Sequence, residues 1–306
     1  MDARPTGRTR AAEGWRALRA FFAEGARHLS EAVAAFEEAE RLLRRADPET
    51  AGPGGETGAA DVEGVLIGLS LALRLRRRPE DARRAVVLAQ ELLNVVRRES
   101  GEAAAVPLRA YLEDAYRDLA DLTTGAEAGR AAEDGIAACD RTLALAKRFH
   151  AGDAVAHARA TKSLLLRRLA ALRTRPSGDG VRSASAAAEA RGLLREADRL
   201  AAAALAGWPA GDAEGLAAFR ADVATALVEG AHPRSSAVDR AEELLRQAER
   251  AAPPENRYLA ARIAKARARA ALAVGRPEAV DDVAAASAAL RDLGLEGEAE
   301  EVERWL

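Results

Sequence analysis

Histidine and cysteine, the residues that most often serve as metal ligands and nucleophiles, are scarce in this chain of 306 residues. The four histidines are His28, His150, His157 and His232. None of them belongs to an HExxH or ExxH pair, the spacings that place metal ligands on one face of a helix. His150 and His157 are separated by an Ala-Gly-Asp break, so we expect two loop or surface imidazoles there. The pattern predicts neither a bound metal nor a cofactor.

The other residues capable of chemistry also have structural interpretations. Cys139 lies on the apolar face of an alanine-rich helical pattern, beside Ile136 and Leu143, which favours a buried structural thiol over a nucleophile. Asp281 and Asp282 do not continue into an aspartate-rich motif and are typical of the first turn of a helix. The chain has no GxSxG sequence and no phosphate-binding glycine loop. We therefore predict no catalytic residues and a protein that is not an enzyme, with an all-α enzyme of unrecognised type as a remote alternative.

Arginine is abundant but balanced by acidic residues. The 46 basic and 48 acidic residues give a net charge of -2, which does not suit a protein that binds nucleic acid. Arginines crowd the segments around 74–84 and 167–175, but no aromatic residues alternate with them for base stacking. We interpret both clusters as solvated helix ends and predict no nucleic-acid partner.

The bulk composition indicates which elements must position any site. Alanine makes up about a quarter of the chain, whereas aromatic residues make up 4%, which favours helices over strands. A single cysteine cannot form an internal disulfide. The longest apolar run, 65–73, is too short to span a bilayer, and charged residues interrupt the N-terminal stretch 15–26. We expect a cytoplasmic protein without a membrane partner.

Helical periodicity alternates along the chain with short breaks of Gly, Pro, Asp or Ser. We predict a mobile tail at 1–10, a helical hairpin at 11–46, a flexible linker at 47–61 and a helical-repeat domain at 62–306. The repeat domain would contain five hairpins and a short closing helix at about 296–305. The six predicted hairpins lie at 11–46, 62–98, 107–148, 154–205, 213–251 and 256–290.

Small and large residues recur inside the hairpins at fixed spacings. Trp15, Leu18 and Phe22 show W-x2-L-x3-F spacing, and Ala32, Phe36 and Ala39 follow at A-x3-F-x2-A. The fifth hairpin carries Ala241, Leu245, Ala248 and Pro253 at A-x3-L-x2-A-x4-P, and the second carries Ala85, Ala89 and Leu92. These spacings resemble the tetratricopeptide repeat, particularly the degenerate arrays of actinobacterial proteins. The resemblance implies an α-solenoid of about six antiparallel hairpins with a C-terminal capping helix.

In the family that the sequence resembles, the first helix of each hairpin lines a concave groove. This would place Arg262, Lys265 and Arg269 in the groove, where they would favour an acidic segment or a C-terminal carboxylate. Arg159 and Lys162 could extend the same surface, and Tyr116 could supply an aromatic anchor.

The first hairpin has an alternative interpretation as one continuous helix. Trp15, Phe22, Leu29 and Phe36 are spaced by seven residues, which is the heptad pattern of a coiled coil that could form a homodimer. Gly25 and Ser30 favour a turn instead, because glycine is costly inside a helix and serine is a common N-cap.

Two functions from different classes remain. The first is a non-enzymatic scaffold or adaptor that binds a protein or peptide in its groove, where the cations would favour an acidic partner. The second is a regulatory or sensory module that binds a small ligand or signalling peptide and controls a separately encoded effector. The resemblance suggests a caspase-like protease as such an effector, because actinobacterial arrays of this kind often accompany one.

Overall fold

The computed structural model of the chain describes residues 6–45, 59–174, 184–228 and 236–306. Within these ranges all regular secondary structure is helical, which confirms the predicted all-α class. The thirteen helices of the described ranges are α1 (Gly7–Glu24), α2 (Arg27–Arg45), α3 (Ala59–Leu75), α4 (Pro79–Ala105), α5 (Arg109–Leu122), α6 (Gly125–Phe149), α7 (Gly152–Thr174), α8 (Ala184–Ala206), α9 (Ala213–Val228), α10 (Ser236–Ala251), α11 (Arg257–Val274), α12 (Ala279–Asp292) and α13 (Glu296–Glu303).

The segment 11–46 contains two helices rather than one continuous helix. Gly25 separates α1 from α2 with a φ of +107°, a conformation that an L side chain rarely adopts. The predicted tail at 1–10 lies outside the described residues up to position 5, and α1 already begins at Gly7. Most of the predicted linker at 47–61 also lies outside the described residues.

The described chain groups into two compact units, which we describe separately. Unit 1 contains Leu29–Ala204 together with α1 up to Leu18. The consecutive helices from α3 to α7 pack against each other here, and α5 additionally contacts both α3 and α7. Phe36 of α2 lies against α1 and α3. We call α3, α5 and α7 the first helices of this unit and the even-numbered helices the second helices. The first helices therefore form a layer in which each one touches the next.

Unit 2 contains Leu205–Leu306 and the short segment Arg19–His28. Its first helices, α9 and α11, contact each other, α10 and α12 pack beside them, and α13 packs on α12. The backbone NH of Ala26 donates to the carbonyl of Leu293, and the rings of Phe21 and Tyr258 lie 5.4 Å apart. The end of α1 is thereby packed into unit 2.

Alanine supplies the small side of the helix contacts. The six alanines that stand at the small positions of the repeat spacing are fully buried: Ala32, Ala39, Ala85, Ala89, Ala241 and Ala248. The large residues Phe36, Leu92 and Leu245 that accompany them are also buried. Small side chains allow two helix axes to approach closely, so part of the alanine excess is a packing requirement.

Helix α11 is held firmly at both ends. The side chain of Asn256 accepts a hydrogen bond of 2.9 Å from the backbone NH of Leu259, which is an N-cap. At the other end, Gly275 adopts the left-handed conformation that ends many helices. These caps fix where α11 begins and ends, and therefore the positions of the cations along it.

Candidate binding surface

An ion cluster joins the first helices of unit 1. Arg74, at the end of α3, donates from Nε to Asp118 Oδ2 at 2.7 Å, and its Nη2 lies 3.0 Å from Asp114 Oδ2. Only 10% of the Arg74 side chain is exposed. The prediction of a solvated helix end is therefore wrong for Arg74, because both acidic residues lie on α5 and enclose it. We call Arg74, Asp114, Asp118, His157 and Thr161 the α5 ion cluster.

Helix α7 completes the cluster from the other side of α5. His157 Nε2 lies 3.3 Å from Asp114 Oδ1, and the Thr161 hydroxyl donates to the same oxygen at 3.3 Å. Burial raises the pKa of Asp114, but the charges of Arg74 and His157 outweigh it and hold that pKa well below the usual range. Burial lowers the pKa of His157, and the charge and hydrogen bond of Asp114 raise it to a net value above the usual one. His157 is thus an ion-pair partner on a helix, not the loop or surface imidazole predicted.

The end of α5 is also secured from α7. Arg168 donates from Nε to the carbonyl of Ala120 at 2.9 Å and from Nη2 to that of Thr123 at 3.1 Å. These carbonyls lie at the C-terminus of a helix, where acceptors lack partners within the helix and the dipole favours a cation. Arg168 therefore serves as a cap supplied by the next first helix.

Unit 2 shows a comparable arrangement along its first helices. Arg262 on α11 donates to Asp222 Oδ1 on α9 at 2.6 Å. Lys265 donates to Glu298 at 3.3 Å and to Glu301 at 3.0 Å, both on α13. Two of the three cations predicted to face the groove are therefore paired with carboxylates.

Arg269 differs from these two cations. Its guanidinium carbon lies 5.0 Å from the centre of the Trp305 ring, and within the described part of the chain no carboxylate pairs with it. Lys265 Nζ lies 6.0 Å from the centre of the same ring. Both distances lie within the range of cation–π attraction. Arg269 and Trp305 are both half-buried, so part of each side chain in this stack is accessible to solvent.

The remaining predicted binding residues lie in unit 1. Lys162 donates to Asp140 at 2.7 Å and lies 3.3 Å from Glu196, so its charge is neutralised locally. Gln90 donates to the hydroxyl of Tyr116 at 3.1 Å. Arg159 is half-buried on α7. The structure thus places Arg159, Lys162 and Tyr116 in one unit and the α11 cations in the other.

The four residues proposed for self-association lie within the folded chain. Leu29 and Phe36 are buried, while Trp15 and Phe22 are half-buried. Trp15 packs edge-on against Phe36 with ring centres 5.4 Å apart, and Phe22 lies 6.3 Å from the ring of Tyr258. Self-association through these residues stays a prediction.

The sequence patterns do not single out one buried acidic residue, Glu113. Glu113 on α5 is 1% exposed, and neither of its carboxylate oxygens has a hydrogen-bond partner. The sequence of α5 does not distinguish Glu113 from its neighbour Asp114, which belongs to the ion cluster. Cys139, as predicted, is buried.

In the described ranges no group of three or more His, Cys, Asp or Glu side chains is arranged to hold a metal ion. No helix in those same ranges combines the length and apolar character needed to cross a membrane.

No protein-family model matches the chain, and no curated protein matches it.

Proposed function

We propose that this chain is a tetratricopeptide-like α-solenoid that acts as a scaffold or adaptor, binding a protein or peptide on the first helices of unit 2. The support for a repeat array is that side chains on equivalent helices of successive hairpins pair at similar separations. Arg74 and Asp118 are 44 residues apart, as are Arg83 and Glu127. In unit 2, the paired residues Asp222 and Arg262 are 40 residues apart. A recurring separation of this kind is expected when one hairpin stacks on the next.

The observation that supports partner binding is the Arg269–Trp305 stack. Interfaces are enriched in arginine and tryptophan, because both offer a large contact area and directional polar groups. Arg269 keeps its charge without a carboxylate in the described part of the chain, whereas Arg262 and Lys265 are already paired. The stack is therefore suited to receive one carboxylate of a partner.

The charge pattern also defines the chemistry of that partner. Asp222, Glu298 and Glu301 neutralise the other α11 cations, so a long run of acidic residues would meet repulsion as well as attraction. A segment with a single acidic side chain or a C-terminal carboxylate, flanked by apolar residues that contact Trp305, suits the surface best.

The proposal is tested with an array of synthetic peptides that differ in charge and carry a free or an amidated C-terminus. We expect the full chain to bind a subset of peptides that carry an isolated carboxylate. Arg269→Glu should weaken that binding about tenfold or more, because attraction becomes repulsion. Arg267→Glu is the matched control, since Arg267 lies on the same helix, is exposed and pairs with Glu249 instead. The proposal fails if no peptide binds, or if both variants weaken binding equally.

A further inference from the structure

Glu113 is buried in unit 1 without the partners that the other buried acids of α5 possess. Asp114 and Asp118 on the same helix each contact the guanidinium of Arg74. Glu113 is 1% exposed, and neither of its carboxylate oxygens has a hydrogen-bond partner within the described chain. An ionised carboxylate in such a place lacks both water and a hydrogen-bond donor, which is strongly unfavourable.

Two cations, Arg109 and His157, act on Glu113 from nearby, but neither forms an ion pair with its carboxylate within the described chain. Its own helix contributes Arg109 and Asp114, α6 contributes Cys139 and Thr142, and α7 contributes His157. Arg109 donates its Nε to the Thr142 hydroxyl at 2.8 Å, and that hydroxyl donates to the carbonyl of Ala138 at 3.1 Å. His157 is engaged with Asp114.

Thr142 offers Glu113 little compensation for its burial. A hydroxyl has one proton to donate and two lone pairs that accept. The Thr142 hydroxyl donates to the carbonyl of Ala138 and accepts from Arg109, and it lowers the pKa of Glu113 by less than burial raises it. Helix α4 places Arg97 and Glu102 near Arg109, one turn before Glu113, so charges of both signs lie on that side.

We propose that Glu113 is a pH-sensitive switch in unit 1: the neutral acid supports the packing of α5 against α6 and α7, and loss of its proton loosens that packing. The switch does not depend on the proposed binding function, because it concerns only the stability of the helix layer.

The direction of the pH effect on stability follows from the thermodynamic linkage between folding and proton binding at Glu113. Burial raises the pKa of Glu113 from 4.5 to about 7, despite the charge of His157. The folded unit thus holds the proton more tightly than an opened chain does, so its contribution to stability is present at low pH. This contribution is lost as the pH rises from about 5 through 7, and opening becomes correspondingly more frequent.

Cys139 provides a native probe of this opening, because it is the single cysteine of the chain and is buried beside Glu113. The experiment measures how fast a thiol reagent labels Cys139 in the full chain and in Glu113→Gln, at about pH 6 and about pH 8. Taking the ratio of the two rates at each pH cancels the ionisation of the thiol itself. His157 is present in both proteins, although Glu113→Gln removes one of the charges that raise the pKa of His157.

We expect the ratio of the wild-type rate to the Glu113→Gln rate to rise about tenfold between the two pH values. Glu133→Gln, which removes an exposed carboxylate from α6, should leave the wild-type behaviour unchanged. A ratio that stays constant with pH overturns the proposal.

A second measurement keeps the proposal testable if Glu113→Gln does not fold. The wild-type chain should show the infrared carbonyl band of a protonated carboxylic acid at about pH 6 and lose it by about pH 8. A wild-type spectrum without that band at the lower pH also overturns the proposal.

Discussion

Arg74 and the neighbouring Arg78 are both positively charged, but they lie in different environments. Arg78 is exposed just before α4, whereas Arg74 is enclosed by the carboxylates of Asp114 and Asp118. Breaking a buried ion pair from one side leaves charges without compensation, which costs far more than losing an exposed one. The two residues therefore form a matched pair for testing the α5 ion cluster.

We predict that Arg74→Met destabilises the chain by about 3–5 kcal/mol, since Asp114 and Asp118 each lose the most enclosed of their counter-ions. Arg78→Met should change the free energy of unfolding by less than about 0.5 kcal/mol, as is usual for exposed positions. Urea unfolding of both variants measures the difference. Equal and small effects would show that Arg74 is solvated and that the cluster does not form.

The sequence could not reveal ion pairs such as these, which join residues far apart along the chain. The run RLRRR reads as a basic helix end, and nothing local indicates that acids 40 and 44 residues later lie beside its first arginine. Glu113 and Asp114 are adjacent in sequence, yet a rotation of about 100° around α5 gives one a buried site without a hydrogen-bond partner and the other an ion pair with Arg74. Such differences depend on which helices become neighbours.

At the scale of elements, the packing of α1, α2 and α3 depends on one aromatic ring and the glycines that make room for it. Phe36 on α2 is fully buried and meets Trp15 edge-on. A Cβ atom at Gly14 would lie 2.8 Å from the Phe36 ring, and one at Gly68 would overlap it. The helices can therefore approach this ring only where they carry glycine.

Helix α3 offers its own control for this requirement. We predict that Gly68→Ala destabilises the chain by about 1–3 kcal/mol, because the ring must move in a close-packed core. Gly64→Ala, one turn earlier and with nothing near its Cβ, should stabilise it by up to about 1 kcal/mol by favouring the helix. Thermal or urea unfolding distinguishes the two. If both substitutions stabilise, Phe36 is not held between these helices.

Elements were more predictable than individual contacts. Each helix break contains Gly, Pro or a polar cap, and buried alanines recur at helical spacing, as with Ala85 and Ala89. Gly25 decided between a hairpin and a continuous helix, because its left-handed φ ends α1. The pattern of small residues shows which face of a helix is buried, but not which charges will meet across the next hairpin.

At the scale of the whole molecule, the pairing of successive hairpins and the distribution of charge lead to the same proposal. First helices contact first helices in each unit, and the ion pairs between them occupy polar groups that would otherwise need water. Within the described ranges, Arg269 remains a cation without a carboxylate, stacked on a half-buried tryptophan. A pre-formed layer of this kind can bind a partner with little ordering of its own side chains.

The central claim, that a partner binds on the first helices of unit 2, is tested most directly by hydrogen exchange. The full chain would be compared with and without a saturating amount of the peptide that binds best in the array. We predict slower exchange in α11 and in the segment that carries Trp305, with α10 and α12 unchanged. Slower exchange in α10 or α12 instead, or no change anywhere in the chain, would contradict the account.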